Sequence, residues 1–111
     1  MMSRVITLTD QNYDELVHKS QGIFVIMFSA DWCLPCQAMK PIFNNIAALH
    51  GSLIQFGIAE RNDIPAIKET LNIKSFPRVY VYKNGQLAGE HIVSSKNYET
   101  EILKPLNPFL P

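Results

Sequence analysis

The segment ADWCLPCQAMKP, residues 30–41, contains both cysteines of the 111-residue chain. The run before it, residues 23–29, is apolar throughout, which is typical of a strand covered on both faces of a sheet. The run after it carries apolar side chains at helical spacing. They are Met39, Ile42, Phe43, Ile46 and Leu49. We therefore predict a strand, a turn that holds the cysteines, and a helix that contains Pro41 and ends at Gly51.

The two cysteines are three positions apart, with Pro35 between them. If Cys33 opens the helix, both sulfurs lie on one face of its first turn, close enough to form a disulfide. The unpaired N–H groups and partial positive charge of a helix N-terminus favour a thiolate at Cys33. Because the thiolate is the nucleophile in disulfide exchange, we expect Cys33 to attack and Cys36 to resolve the mixed disulfide.

Two other interpretations of the cysteine pair stay open at this point. A structural zinc site needs about four ligands, and His50 follows at a suitable distance. The second histidine is missing, because residues 54–56 read IQF. Two inert buried cysteines are the other alternative, since free cysteine is often part of a core. The arrangement of strand, Cys-x-x-C and helix favours redox chemistry over both.

The N-terminal half of the chain alternates strands and helices around this segment. A short strand is predicted over residues 4–8, followed by a helix over residues 11–20 that Thr9 or Asp10 caps. After the cysteine helix, a strand is expected over residues 52–59.

The C-terminal half contains a further helix, a hairpin and a last helix. Asn62 or Asp63 is predicted to cap a short helix over residues 64–71, with Pro65 in its first turn. Asn84-Gly85 predicts a tight hairpin turn. The last helix, residues 96–103, is expected to be capped by Ser94 or Ser95 and to stop at Pro105.

The resulting order is β-α-β-α-β-α-β-β-α, which predicts an α/β fold. Strands that alternate with helices give parallel pairs, and the terminal hairpin adds antiparallel strands at one side. We expect a mixed central sheet with helices on both faces. Residues 1–104 are predicted to form the domain, and residues 105–111 a short proline-rich tail that is loose or lies on the surface.

Composition limits the classes of partner. Ten basic and ten acidic side chains cancel, so the net charge predicts neither nucleic acid nor a membrane as partner. The most apolar run, residues 23–30, is too short to cross a bilayer. Two cysteines are too few for a disulfide-scaffolded secreted domain, and the first residues lack the pattern of a signal peptide. We expect a cytoplasmic protein without a bound metal or organic cofactor.

Several short motifs occur together in one order: LTDQNYDELV, ADWCLPC, KPIF, FP and YKNGQ. In this order and spacing, residues 6–103 resemble the thioredoxin family. In thioredoxins a Trp-Cys-x-Pro-Cys motif begins the second helix and faces a cis-proline loop. Trp32, Cys33, Pro35 and Cys36 match the motif, and Phe76-Pro77 matches the loop.

The resemblance implies a thioredoxin-like fold and a thiol–disulfide oxidoreductase. Cys33 and Cys36 would be the redox pair and disulfide-bearing proteins the substrates. An external reductase, by resemblance a flavoprotein thioredoxin reductase, would supply the electrons. The resemblance also implies a substrate-binding groove, made of Trp32, Leu34, Pro35, Phe76, Pro77 and Val93.

The sequence departs from the family pattern around the cysteines. Leu34 stands where the family usually has glycine, and Gln37 stands where a basic residue is common. Met27 takes the place of a buried acid that handles the proton of the resolving cysteine. The lysine that accompanies this acid is replaced by Ile58 or Gly57. The nucleophile is thus kept, while the usual proton acceptor behind it is absent.

Two further departures concern the groove. Val93 replaces a glycine that lines it, and Arg78 follows Pro77 where threonine is frequent. We expect Arg78 to face solvent rather than the sulfurs, and we expect His18, His50 and His91 to be solvated. The narrowed groove and the missing acid keep a second function class open. In that class the chain is a thioredoxin-like binding module whose cysteines are regulatory or weakly active.

Overall fold

The computed structural model describes residues 5–110. Within this range five strands form one sheet in the order β1-β3-β2-β4-β5. The strands are β1 Val5–Leu8, β2 Ile23–Ser29, β3 Ile54–Glu60, β4 Arg78–Lys83 and β5 Gln86–Ile92. The α-helices are α1 Leu34–His50, α2 Pro65–Thr70 and α3 Tyr98–Leu106. Arg4, where the first strand was predicted to begin, lies outside the described residues.

The sheet is mixed, as the order of elements predicted. β3 pairs in parallel with both β1 and β2. β4 runs antiparallel to β2, and β5 antiparallel to β4. β2 is central, and all its residues after Ile23 are buried. Its continuous apolar sequence is therefore explained by cover on both faces, and the predicted α/β class is confirmed.

Separate hydrophobic clusters cover the two faces of the sheet. The cluster that we call the cysteine-side core contains both cysteines and Met27, together with residues from α1 and α3. The opposite core contains Tyr13 and Val17, which precede β2, and Ile64, which precedes α2. Helical segments thus lie on both faces, as expected for this fold class.

The helix that carries the cysteines begins and ends where the sequence predicted. Cys33 is its N-cap, Gly51 follows its last residue, and Pro41 lies inside it. Its buried face, however, includes Ala47 and not Leu49, whose side chain is 77% exposed. The prediction that Leu49 joins the core face is wrong. It lies just past the edge of the buried stripe, which passes through Ala47 after Ile46.

The first predicted helix is reduced to a short π-helical segment, Asp14–His18. The side-chain oxygen of Thr9 accepts hydrogen bonds from the backbone N–H groups of Gln11 and Asn12, at 3.2 and 3.3 Å. These bonds hold the turn at residues 10–12, while Tyr13, the N-cap residue of the π-helical segment, makes no side-chain cap hydrogen bond. Asp10 instead points to α2, where its carboxylate accepts hydrogen bonds from Ala66 and Ile67.

This contact corrects the predicted cap of α2. Asn62 and Asp63 lie in a separate 3₁₀ turn, Arg61–Asp63. The first N–H groups of α2 are paired with Asp10, which is 56 positions away from Ala66 in the sequence. Pro65 occupies the first turn of α2, as predicted.

The hairpin and the last helix complete the described chain. Asn84 and Gly85 both have a positive φ, 52° and 82°, as the predicted tight turn requires. The N-cap of α3 is Asn97, whose side-chain oxygen accepts from the Thr100 N–H, so the predicted caps Ser94 and Ser95 are wrong.

The last helix also passes through Pro105 and ends at Leu106, so its predicted end at Pro105 is wrong. Pro105 lies one residue from the helix end, where proline removes a single intrahelical hydrogen bond. Leu106 is wholly buried, and Phe109 and Leu110 pack against the cysteine-side core. These residues of the predicted tail are thus packed and not loose. The division of the chain at residue 104 stays a prediction.

Within residues 5–110, no helix is both long enough and apolar enough to span a membrane.

Candidate active site

Cys33 lies where the polypeptide leaves the sheet and enters α1. Its backbone is extended, with φ −96° and ψ 109°, as an N-cap residue requires. Its N–H donates to the Ala30 carbonyl oxygen at 3.1 Å. The backbone N–H of Cys36 donates to the Cys33 sulfur at 3.2 Å. The sulfur thus takes the place of the side-chain oxygen that usually caps a helix.

Cys33 and Cys36 form a disulfide across the first turn of α1, with their Cα atoms 5.2 Å apart. Cys33 is 5% exposed, whereas Cys36 is wholly buried. Cys33 is therefore the sulfur that an incoming molecule meets first. The helix geometry brings the pair together, because positions i and i+3 share one face of a helical turn.

Two large apolar side chains are exposed beside the disulfide. Trp32 is 64% exposed and Leu34 80% exposed. The Trp32 ring meets the Phe76 ring edge-on, with centroids 6.1 Å apart and planes at 89°. Phe76 itself is half-buried and contacts both cores. Trp32 therefore adds exposed apolar area beside the disulfide and is not part of a core.

A shallow groove of about 250 Å³ runs beside the cysteine helix. Four of the predicted groove residues line it, namely Pro35, Phe76, Pro77 and Val93. The Phe76-Pro77 peptide bond is cis. The Val93 N–H donates to the Pro77 carbonyl oxygen at 3.3 Å, which joins the two walls.

The other two predicted groove residues, Trp32 and Leu34, are exposed and stand outside this lining. The remaining part of the lining was not predicted from the sequence. It consists of Ser94, Ser95, Lys96 and Tyr98.

The family model of thioredoxin matches residues 4–107. The thioredoxin of Buchnera aphidicola is 30% identical over 86 residues, which cover 78% of this chain and 80% of that protein. The chain belongs to the thioredoxin family. The chloroplastic thioredoxin M5 of Oryza sativa is 28% identical over 78% of this chain and 50% of its own length. The chloroplastic thioredoxin Y of the same species is 32% identical over 70% of this chain and 46% of its own length.

The chain spans about half the length of these chloroplastic relatives. Thioredoxins are thiol–disulfide oxidoreductases, and the disulfide between Cys33 and Cys36 fits a Cys-x-x-C active site. Membership and geometry together support thiol–disulfide oxidoreductase activity.

The position of the usual thioredoxin acid is apolar in this chain. Met27 is wholly buried in the cysteine-side core and pairs with Ile58 across β2 and β3. A side chain at Gly57 would instead meet Leu8 and Phe24, which belong to the opposite core. Ile58, and not Gly57, is therefore the neighbour of Met27 on the face that holds the cysteines.

Neither Arg78 nor Gln37, the residue that stands where a basic side chain is common, hydrogen-bonds to the sulfurs. The Arg78 guanidinium donates to the Ser75 carbonyl and hydroxyl oxygens and to the Tyr80 hydroxyl, at 3.0 to 3.1 Å. Tyr80 belongs to the opposite core, so these bonds direct Arg78 away from the cysteine side of the sheet. Gln37 donates its side-chain amide to the Ala30 carbonyl oxygen at 3.4 Å.

One half-buried ion pair close to the cysteine helix was not predicted. Lys40 of α1, one helical turn after Cys36, pairs with Glu60 of β3. Glu60 is also the register partner of Ser29. Among residues 5–110, the buried Ser29 hydroxyl and one Glu60 carboxylate oxygen lack a hydrogen-bond partner. Two buried polar oxygens without hydrogen-bond partners among the described residues thus lie on the cysteine side of the sheet, although position 27 carries no acid.

A hydrogen bond to a buried carboxylate corrects the expectation that His91 is solvated. Its Nε2 atom lies 3.0 Å from a carboxylate oxygen of Glu101, which is buried. The Ser94 N–H also donates to this oxygen. These hydrogen bonds, with the Ser94 N–H first, hold the pKa of Glu101 below its usual range. Helical spacing was the available signal, since Glu101 lies between Tyr98 and Ile102 on the apolar face of α3.

No group of three or more His, Cys, Asp or Glu side chains that fits a metal ion occurs within residues 5–110.

Proposed function

We propose that this member of the thioredoxin family reduces disulfide bonds of other proteins with Cys33 as the nucleophile. The Cys33 thiolate attacks one sulfur of the partner, the partner disulfide breaks, and its other sulfur leaves as a thiolate that takes up a proton. Cys36 then loses its proton and attacks the Cys33 sulfur. The second partner thiol leaves, and the Cys33–Cys36 disulfide remains. Two electrons pass from the dithiol to the partner.

The position of Cys33 at the cap of α1 is the single observation that carries this assignment. The Cys36 N–H already points at the Cys33 sulfur. In the reduced protein the same N–H donates to a thiolate, and a hydrogen bond to an anion is stronger than one to a neutral sulfur. Cys36 is wholly buried, and burial disfavours its thiolate. Cys36 is therefore suited to the second step, the attack on the mixed disulfide.

The groove beside the disulfide supports binding of an extended segment of the partner. Pro35, Phe76, Pro77 and Val93 form its apolar lining, while Trp32 and Leu34 add exposed apolar area next to Cys33. We propose that the Phe76 backbone pairs with the partner segment in the manner of an added strand. Side chains that flank the partner disulfide would then contact Trp32 and Leu34.

The proposal includes an external source of electrons and a location. A reductase, by family a flavoprotein thioredoxin reductase, returns two electrons to the Cys33–Cys36 disulfide. No metal or organic cofactor within the domain enters this cycle. We propose a cytoplasmic location, because glutathione and reductases keep thiols reduced there and a dithiol reductant is sustained. Fractionation of cells that produce the protein tests the location, and recovery in an organelle would contradict it.

The experiment that tests the function compares reduction of insulin disulfides by the wild type, Cys33→Ser and Cys36→Ser. We expect the wild type to accelerate reduction by dithiothreitol and both variants to lose this acceleration. Cys36→Ser should also accumulate mixed disulfides with partner proteins, because Cys33 attacks and nothing releases the product. Cys33→Ser, the matched control, should accumulate none.

The second candidate, a binding module, is favoured by Val93 in the groove wall and by Met27 behind the cysteines. It predicts that a partner stays bound after either cysteine is replaced by serine. Retained binding without cysteine-dependent reduction of insulin would favour this function over the first.

A further inference from the structure

The carboxylate of Glu101 makes contacts that the redox cycle above does not use. Glu101 lies in α3 and is 5% exposed. One of its carboxylate oxygens accepts from the Ser94 N–H at 2.7 Å and lies 3.0 Å from His91 Nε2. The Ser94 hydroxyl is 3.5 Å from the same oxygen. A buried carboxylate is costly unless it is hydrogen-bonded. The Ser94 backbone must therefore stay where its N–H can donate to Glu101.

Ser94 is also part of the groove wall. It follows Val93, and both residues line the groove. The Val93 N–H donates to the Pro77 carbonyl oxygen, and the next N–H, that of Ser94, donates to Glu101. This segment is thus tied to the proline loop by one residue and to α3 by the next. Without Glu101 the hydrogen bond from Ser94 to α3 is lost, while the hydrogen bond from Val93 to Pro77 remains.

The choice of side chain at this position argues for a role beyond packing. Glu101 lies beside Ile102, which is wholly buried in the cysteine-side core. An apolar side chain would fill such a position without the cost of burying a charge. It would, however, leave the Ser94 N–H without its acceptor and the groove wall free to shift.

We propose that Glu101 is a positioning residue that fixes the Val93–Ser94 wall of the groove and thereby sets the affinity for protein disulfides. This inference rests on the proposed function, because it assigns the groove to the partner protein. Glu101 touches neither sulfur in this role. Small disulfides, which reach Cys33 without filling the groove, do not depend on it.

The kinetic test uses Glu101→Leu, in which the new side chain is of similar size but has no oxygen to accept the Ser94 N–H. We expect its KM for insulin to rise on the order of tenfold, about what the loss of one hydrogen bond to a charged group costs. Its rate constant toward bis(2-hydroxyethyl) disulfide should stay within about twofold of the wild type, a change of under 0.5 kcal/mol. Glu101→Gln, which keeps an acceptor oxygen, should restore most of the affinity.

The matched control is Glu99→Leu, which removes an exposed carboxylate from the same helix. It should change neither the KM for insulin nor the rate constant toward the small disulfide. An unchanged KM for insulin in folded Glu101→Leu would overturn the inference. An equal loss of rate with both disulfides would overturn it too, because that pattern indicates damage to the cysteine pair or to the fold.

Amide hydrogen exchange tests the attachment itself and needs no activity. The Ser94 amide should exchange at least about tenfold more slowly in the wild type than in Glu101→Leu, because its acceptor is lost in the variant. If the variant does not fold, the comparison is made within the wild type against the amide of Lys96, an exposed groove residue in the same loop. If the Ser94 amide of the wild type exchanges as fast as the Ser94 amide of Glu101→Leu, or as fast as the Lys96 amide where the variant does not fold, the inference is overturned. A wild type that reduces neither disulfide would contradict the proposed function instead, while slow exchange at Ser94 would still support the attachment.

Discussion

Met27 of β2 and Ile58 of β3 are paired across the sheet, and Met27 is buried in the same core as Cys36. Many thioredoxins have an acid at the position of Met27. Its absence leaves the resolving cysteine without a general base from this strand. The methionine keeps the core free of an unpaired charge.

Replacement of Met27 by aspartate should therefore have opposite effects on rate and stability. We expect faster release of the mixed disulfide, because a carboxylate can accept the Cys36 proton. We also expect the free energy of unfolding to fall by about 3 kcal/mol or more, since the acid is buried without a partner. Single-turnover reduction of insulin and urea denaturation measure the two. Met27→Asn is the control: it should lose stability without the gain in rate, and equal rates for both variants would contradict the explanation.

Removal of the Asp10 carboxylate should destabilise the fold through α2. Asp10→Ala leaves the N–H groups of Ala66 and Ile67 without acceptors, which costs about 1 to 2 kcal/mol in other helix caps. The control is Asp63→Ala, which removes an exposed aspartate two residues before α2. It should change the free energy of unfolding by less than about 0.5 kcal/mol. Urea denaturation distinguishes them, and equal effects would contradict the assigned cap.

The hairpin turn should tolerate no side chain at Gly85. Its φ is +82°, and a Cβ there would overlap the His18 carbonyl oxygen. We expect Gly85→Ala to cost about 3 kcal/mol, from left-handed strain plus overlap with backbone. Gly22 has φ +80° but, within the described part of the chain, open space around such a Cβ. Gly22→Ala should thus cost only about 1 to 2 kcal/mol in thermal unfolding. A larger loss in Gly22→Ala would refute this assignment.

Acid should weaken the fold through Glu101. Its pKa is lower in the folded protein than in the unfolded chain, because the Ser94 N–H and His91 favour the carboxylate. The resulting stabilisation is complete above the unfolded pKa of about 4.3 and disappears as pH falls through the lower folded pKa. The difference in unfolding free energy between wild type and Glu101→Gln should therefore shrink below about pH 4.3. A difference that stays constant with pH would show that the carboxylate charge does not contribute.

Local sequence patterns were sufficient for most of the architecture. The apolar run of β2, the Asn84-Gly85 turn and the cysteine motif each depend on neighbours within a few residues. Contacts between distant segments left no such pattern. Asp10 caps a helix that begins more than 50 positions later, and nothing near either segment indicates this.

The same reason explains the errors at α3. Ser94 and Ser95 looked like caps, but the Ser94 N–H and hydroxyl face Glu101, and Asn97 caps the helix instead. The site divides in the same way. The cysteines and the aromatic residues beside them follow from the motif, whereas the Glu101 contact depends on how α3 packs beside the end of β5.

Trp32 and Leu34 are largely exposed to water. In the function that we propose, a partner protein covers them, which removes water from around the sulfurs and lowers the local dielectric constant. Electrostatic interactions gain strength in such an environment, including the hydrogen bond from Cys36 to the Cys33 thiolate. Under this proposal the partner protein itself supplies part of the low-dielectric environment of the exchange, so the rate of exchange depends on how completely each partner covers Trp32 and Leu34.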